Sequence, residues 1–122
     1  MLGLMARGGI LVNLDPLTFI ILDRRTEGAR AYVIQDGWQE AIIIHRDNAI
    51  YTIAKNKKKM YFSKRVIEDG TLRTVFVDEV YMRFYHRARF RELKRAIWGS
   101  RDFSPQLDWA IKEIITLVEA RR

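Results

Sequence analysis

Residues 38–54, WQEAIIIHRDNAIYTIA, are the stretch of sequence that decides the fold. Two short segments rich in β-branched and aromatic residues lie on either side of a turn signal at Arg46-Asp47. Such segments are typical of β-strands, and a connection this short forces the two strands to run antiparallel. Further turn signals recur on both sides of this stretch, at Asp15-Pro16, Glu27-Gly28, Asp36-Gly37 and Glu68-Asp69-Gly70.

These turns divide the chain before residue 79 into short candidate strands. The candidates are Ile10–Leu14, Leu17–Leu22, Arg30–Gln35, Trp38–His45, Asn48–Ala54, Lys59–Val66 and Thr71–Asp78. We predict an antiparallel meander that curls into a half-barrel or a small barrel. The N-terminal stretch MLGLMARGGILVNL carries Arg7 among its apolar residues, so we expect a first strand there and not a signal peptide.

After residue 79 the apolar residues follow the period of a helix. The pattern predicts a first helix from Val80 to about Ile97, closed by Gly99. The residues expected to face the sheet are Tyr81, Met82, Tyr85, Leu93 and Ala96. A second helix is predicted to begin at Ser104-Pro105, with serine as the cap and proline at the first helical position.

The predicted fold class is therefore α+β, in a single domain over residues 1–122. Residues 1–79 are expected to be mainly β, and residues 80–122 to form two helices packed on the sheet. The longest apolar runs are far too short to span a bilayer. The chain contains no cysteine, which excludes disulfides and is compatible with a reducing, cytoplasmic location. Abundant Ile and Arg with few amides favour a thermophilic origin.

Positive charge is concentrated in two segments of a chain whose net charge is +7. Residues 83–101, RFYHRARFRELKRAIWGSR, carry seven basic residues and one acidic residue, Glu92. Residues 55–65, KNKKKMYFSKR, carry six basic residues and no acidic one. Such focused charge attracts nucleic acid or anionic membrane surfaces.

The first basic segment forms a stripe when it is placed on a helix. Its members recur every four residues, with one lysine beside them: Arg83, Arg87, Arg91, Arg95 and Lys94. Like charges at this spacing repel each other, which favours an anionic ligand beside the stripe. Alternatively, the stripe is a solvated helix face whose cations pair with Asp or Glu of the sheet. Phe84 and Trp98 lie near the stripe and Phe90 flanks it. Flat rings among cations suit a phosphate backbone with stackable bases.

The second basic segment is predicted to form a hairpin tip, Asn56-Lys57-Lys58, followed by a strand. By period two, that strand places Lys59, Tyr61, Ser63 and Arg65 on one face. We predict that this face binds a nucleic-acid strand, with Tyr61 stacking on a base. The predicted phosphate-binding cations here are Lys57, Lys58, Lys59, Lys64 and Arg65. Alternatively, lysines at a tip or edge simply prevent aggregation, and Tyr61 packs at a barrel rim.

Candidate catalytic groups are sparse, and we predict no catalytic residue, metal site or cofactor. His45 and His86 lie on different elements and have no carboxylate at ligand spacing. A set of acids near strand ends could converge as in a metal-dependent nuclease: Asp15, Asp23, Asp36 and Glu40. Aspartate is common in turns for backbone reasons, which favours a structural role for these acids.

Two tryptophans outside the basic segments each have two interpretations. Trp38 follows the Asp36-Gly37 turn, where it either plugs the end of the core or stands exposed as a stacking platform. Trp109 lies on the flank of the last helix, where we expect it in the core or in contact with a partner.

Three functional hypotheses remain open from the sequence. The first is a non-catalytic protein that binds RNA or single-stranded DNA with little sequence preference. The second is a protein–protein module, such as a homo-oligomer or a structural subunit of a ribonucleoprotein or viral assembly, in which the aromatic-rich helix is an interface. The third is a small metal-dependent nuclease.

Overall fold

The computed structural model describes residues 19–122 and shows an α+β fold. Six antiparallel strands neighbour each other in the sheet in the same order as in the chain. Their bounds are β1 Ile20–Thr26, β2 Ala29–Asp36, β3 Gln39–Arg46, β4 Ala49–Lys55, β5 Lys59–Glu68 and β6 Thr71–Tyr81. Two helices follow, α1 Phe84–Trp98 and α2 Pro105–Glu119. The predicted meander is confirmed, but among the described residues β1 and β6 do not pair, so the sheet is open and is not a closed barrel.

The strand boundaries differ from the sequence prediction by a few residues. The strand predicted at Leu17–Leu22 continues to Thr26, because its later residues pair with the beginning of β2. The strand predicted at Ile10–Leu14, and the N-terminal stretch as a whole, lie outside the described residues. The remaining predicted strands correspond to β2 through β6. The strands β3 and β4 begin and end one residue later than predicted, and β2, β5 and β6 extend one to three residues beyond a predicted end.

The central strands are buried on both of their faces. Ile42, Ile43 and Ile44 are all fully buried, although neighbouring residues in a strand point to opposite sides of the sheet. Ile42 and Ile44 pack in the cluster that includes both helices, whereas Ile43 packs in a second apolar cluster with Ile34 and Tyr61. Burial on both faces explains why the run is continuously apolar and does not alternate.

The predicted start of the first helix at Val80 is wrong, because β6 extends further than expected. Val80 pairs with Met60, and Tyr81 pairs with Lys59, so both residues belong to the sheet. The helix begins at Phe84, and Arg83 occupies its N-cap. Apolar residues such as Val80 and Tyr81 suit a strand as well as a helix, so their pattern alone does not fix this boundary.

The face that α1 buries also differs from the prediction. Tyr81 and Tyr85, which the helical pattern places against the sheet, are both exposed. Phe90, which the pattern places beside the arginine stripe, is only 2% exposed and packs in the core with Leu93 and Ile97. These last three residues follow i, i+3, i+7 spacing and form one continuous apolar stripe, which the helix turns toward the sheet.

The predicted second helix is confirmed with its cap. Ser104 Oγ accepts a hydrogen bond from the backbone N–H of Leu107 at 3.2 Å, and Pro105 is the first helical residue. Its buried residues are Leu107, Ala110, Ile111, Ile114 and Val118. Neither α1 nor α2 is long and apolar enough to cross a membrane.

We expect Phe90→Ala to destabilise the fold by about 3–5 kcal/mol, because it removes a fully buried ring and leaves a cavity. Phe84→Ala is a matched control on the same helix, since Phe84 is 86% exposed. That control should change the free energy of unfolding by less than about 0.5 kcal/mol. Urea denaturation of both variants measures the difference. Equal stability of the two variants would contradict the placement of α1.

Candidate functional site

The helix α1 lies beside the end of the sheet that carries two hairpin turns. A cleft of about 530 Å³ lies between α1 and the turns that follow β2 and β4. It is lined by Gln35, Gly37, Trp38, Glu40, Lys55, Asn56, Lys57 and Arg87. A smaller cavity of about 90 Å³ shares Glu40, Lys55 and Arg87 with it and adds Phe90, Arg91 and Lys94. We call the two together the basic cleft.

Positive side chains dominate the lining of the basic cleft. They come from β4, from the turn after it and from α1: Lys55, Lys57, Arg87, Arg91 and Lys94. One carboxylate, that of Glu40, is found in the same lining. Arg87 and Arg91 are exposed, so their guanidinium groups can meet a ligand from solvent. A concave surface lined by one sign of charge focuses the electric field and attracts ligands of the opposite sign.

Glu40 holds the base of this cleft together. It lies directly opposite Lys55 across β3 and β4, and Lys55 Nζ is 2.9 Å from Glu40 Oε2. The other carboxylate oxygen accepts a hydrogen bond from Lys94 of α1. Burial opposes ionisation of Glu40, but the hydrogen bonds from Lys94 and Lys55 outweigh it and hold the pKa of Glu40 below its usual range. This three-residue cluster therefore ties α1 to the end of the sheet.

Trp38 stands at the mouth of the cleft and is 71% exposed. It is the second residue of a two-residue turn whose first residue, Gly37, has a φ of +58°, a conformation that favours glycine. Lys57 Nζ lies 3.7 Å from the centre of the Trp38 ring, which is a close cation–π contact. Trp38 therefore does not plug the end of the core and is exposed instead.

The predicted hairpin tip that carries Lys57 is confirmed, and hydrogen bonds stabilise it. The Asn56 side-chain oxygen accepts hydrogen bonds from the backbone N–H groups of Lys58 and Lys59, both at 2.8 Å. The Lys58 carbonyl oxygen accepts a hydrogen bond from the Met82 N–H at 2.7 Å. The tip is thereby joined to the segment that leads into α1.

Of the predicted site residues, the structure brings Lys57, Arg87, Phe90, Arg91 and Lys94 together in the lining of the basic cleft. Lys58 and Arg83 are exposed near the start of α1, outside the lining of the cleft. Lys59 lies beside Glu79, at 3.3 Å, and this hydrogen bond raises the pKa of Lys59.

Lys64 and Arg65 do not join the cleft. Lys64 Nζ forms an ion pair with Glu119 at 2.8 Å, near the end of α2. Arg65 is buried, and this burial lowers its pKa. The predicted binding of a nucleic-acid strand to the β5 face of Lys59, Tyr61, Ser63 and Arg65 is therefore wrong, because the last three of these residues are buried.

Two of the three predicted stacking rings are out of reach of a base. Tyr61 is 5% exposed because its face of β5 packs in the second apolar cluster. The period-two alternation of that strand is correct, but the face with Tyr61 is buried. Phe90 is in the core, and Lys55 Nζ lies 5.4 Å from its ring centre. Trp98, the third ring, is half-exposed at the end of α1.

A second groove lies between α1 and α2 and has a volume of about 520 Å³. We call it the interhelix groove. Its lining residues are Ala88, Arg91, Glu92, Arg95, Ala96, Gln106 and Trp109. Arg91 therefore lines both the interhelix groove and the basic cleft. Arg95, predicted as a member of the stripe, belongs to this second groove.

The acids considered for a nuclease do not assemble in the described residues. Asp23 lies 3.2 Å from Arg30, Glu40 is bound by two lysines, and Asp15 lies outside the described range. No three His, Cys, Asp or Glu side chains in residues 19–122 are placed to hold a metal ion. His86 Nδ1 accepts a hydrogen bond from the Arg83 N–H at 3.0 Å, and burial, with Arg121 and Arg83 nearby, lowers its pKa.

Lys55 and the structural role of Glu40 are absent from the site predicted by sequence. The sequence contains a pattern that could have identified this pair. A two-residue turn at Asp47-Asn48 pairs Arg46 with Ala49, and counting outward along both strands pairs Glu40 with Lys55. Opposite charges at a directly opposed pair stabilise a sheet. The third member, Lys94, is distant in sequence and cannot be found by such counting.

We expect Glu40→Gln to lower the free energy of unfolding at pH 7 by about 1–3 kcal/mol, because Lys55 and Lys94 lose their charged acceptor. Since the pKa of Glu40 is lowered by folding, its contribution is fully present above about pH 4.3, the usual glutamate value. It is lost as the pH falls through the folded-state pKa. Urea denaturation from about pH 3 to about pH 8 should therefore show the parent and the variant converging in acid.

Glu68→Gln provides the matched control for this measurement. Glu68 pairs with Arg73 at 2.9 Å at the far end of β5, where both side chains are more than half exposed. This substitution should change stability much less than Glu40→Gln, because solvent screens an exposed pair. If the two glutamine variants behaved alike at every pH, the Glu40 cluster would have no special structural role.

Comparison with known proteins gave no guide to function. No protein-family model matches the chain, and no curated protein or solved structure matches it either. Function must therefore be inferred from the geometry and charge of the described residues.

Proposed function

We propose that this protein binds RNA or single-stranded DNA through the basic cleft, without catalysis and with little sequence preference. One observation carries the proposal: five cations from three parts of the chain meet around one cleft that contains a single lining carboxylate. Bringing like charges together is unfavourable, so such a cluster is best explained by a polyanionic ligand.

Arginine side chains are the main phosphate contacts in this proposal. Arg87 and Arg91 are exposed one helical turn apart, and a guanidinium group can donate two parallel hydrogen bonds to one phosphate. Lys55 and Lys94 already donate to Glu40, so they contribute mainly to the local positive potential. Phosphate contacts carry no base information, which accounts for the low sequence preference.

A protein–protein interface is the second candidate function, and a different surface favours it. Tyr81, Phe84 and Tyr85 are all strongly exposed where β6 leads into α1. Exposed aromatic residues are enriched in protein interfaces, where they act as anchors. Lys58 and Arg83 lie nearby and would favour an acidic partner. A homo-oligomer or a larger assembly would use this surface.

We expect Arg87→Ala and Arg91→Ala each to weaken binding of every oligonucleotide about equally. The slope of log affinity against log salt should flatten by roughly 0.7 for each phosphate of a single strand that is no longer neutralised. The measurement is fluorescence anisotropy of labelled oligothymidylate and oligoadenylate at several salt concentrations. Melting temperatures of the variants establish that the fold is intact.

Arg46→Ala is the matched control, because it removes the same exposed charge at the opposite end of β3. Its affinity and salt slope should stay close to those of the parent. Parent-like binding by the Arg87 and Arg91 variants would refute the nucleic-acid proposal. A parent protein that binds no oligonucleotide but forms a symmetric oligomer in light scattering would support the interface instead.

A further inference from the structure

The arginine stripe connects two concave surfaces on either side of α1. Arg87 lines the basic cleft, Arg95 lines the interhelix groove, and Arg91 lines both. Two steps of four residues separate Arg87 from Arg95 along the helix, which corresponds to a rise of about 12 Å. A row of exposed cations therefore passes over α1 from one concave surface to the other.

An exposed tryptophan stands at each end of this row. Trp38 is at the mouth of the basic cleft and is 71% exposed, and Trp109 lines the interhelix groove and is 43% exposed. Tryptophan is one of the most extensively buried residue types, so two exposed tryptophans in charged grooves indicate contact with a ligand. Each ring has an arginine of the stripe in the lining of the same groove.

We propose that one single strand of nucleic acid crosses α1 from Trp38 to Trp109. Its phosphates contact Arg87, Arg91 and Arg95, and unpaired bases stack on the tryptophan at each end. We call this path the strand track. The inference rests on the proposed nucleic-acid binding and adds to it the path, the stacking residues and a preference for unpaired bases.

Stacking on these rings requires a base whose face is free. In a duplex each base is covered above and below by its neighbours, so the tryptophans can discriminate single strands from duplexes. Lys57 lies over the Trp38 ring and adds a cation close to the stacked base and its phosphate. The strand track thus combines cations, which bind the phosphates of any nucleic acid, with tryptophan rings, which stack on unpaired bases.

The carboxylate in the interhelix groove is compatible with a bound phosphate backbone. Glu92 Oε1 accepts a hydrogen bond from Arg89 Nη1 at 2.6 Å, and this ion pair offsets its charge. Gln106 also lines the groove and is exposed, so its amide can reach a base or a sugar. The groove therefore offers ring, cation and amide contacts together.

The test measures how Trp38→Ala and Trp109→Ala bind an oligothymidylate of about 12 nucleotides, a length within known single-strand site sizes. Each substitution should weaken binding roughly 5- to 150-fold, since stacking on one ring contributes that much per base. The salt slope should stay unchanged, because every phosphate-binding cation is still present. Binding of a two-stranded, blunt-ended duplex of similar charge should change little, because it has no unpaired bases.

Trp38→Phe and Trp109→Phe are the conservative controls and should retain most of the affinity. Tryptophan fluorescence gives a second measurement, because a base that stacks on the ring quenches its emission whatever the affinity of the variant. A variant with Trp98 and Trp109 replaced by Phe reports on Trp38 alone, and one with Trp38 and Trp98 replaced reports on Trp109 alone. The strand track predicts that oligothymidylate quenches both variants with one-to-one stoichiometry.

The results separate this inference from the proposed function. If Arg87→Ala weakens binding but Trp109→Ala and Trp109 fluorescence do not respond, the strand track is overturned while nucleic-acid binding stands. Equal losses for single strand and duplex in the tryptophan variants also overturn it. If the parent binds no oligonucleotide at all, both the strand track and the proposed function fail.

Discussion

Burial of one side of α1 against the sheet is the constraint on which the rest of the molecule depends. Phe90, Leu93 and Ile97 occupy the core together with residues of the central strands, and this fixes how the helix is rotated about its axis. With these residues turned inward, Arg87 lines the cleft beside the hairpin turns, and Arg91 lines the smaller cavity and the interhelix groove. Apolar packing therefore sets the position of the cations, and the ion pair between Lys94 and Glu40 adds a second contact between α1 and the sheet.

Charge repulsion among the clustered cations is moderated by one carboxylate. Glu40 receives hydrogen bonds from Lys55 and Lys94, so the two least exposed cations of the basic cleft are paired. Arg87 and Arg91 stay at the surface, where water screens their mutual repulsion. The cluster can persist without a ligand for this reason, and it still presents a net positive surface.

The sequence predicted the sheet better than the site. Turn dipeptides such as Asp36-Gly37 and Arg46-Asp47 mark where the strands end. The connections between these strands are too short for anything but antiparallel pairing. Period two correctly separated Tyr61 from Phe62 on β5, but the alternating pattern of β5 does not show that the face with Tyr61 is buried as well. The cleft depends on Lys94 meeting Glu40, a contact set by helix orientation that local patterns do not encode.

Two sets of exposed aromatic residues differ physically, and this difference bears on how the nucleic-acid and protein-interface hypotheses relate. Trp38 and Trp109 stand apart, each in a groove lined by cations, which suits a ligand whose charges and flat rings alternate. Tyr81, Phe84 and Tyr85 lie close together in the sequence where β6 leads into α1, and all three are exposed. Clustered aromatic residues are typical of a protein interface. Nucleic acid and a protein partner would therefore engage different residues of α1 and its flanks. A subunit of a ribonucleoprotein assembly needs one surface for nucleic acid and another for protein, so the two proposed functions are compatible in one molecule.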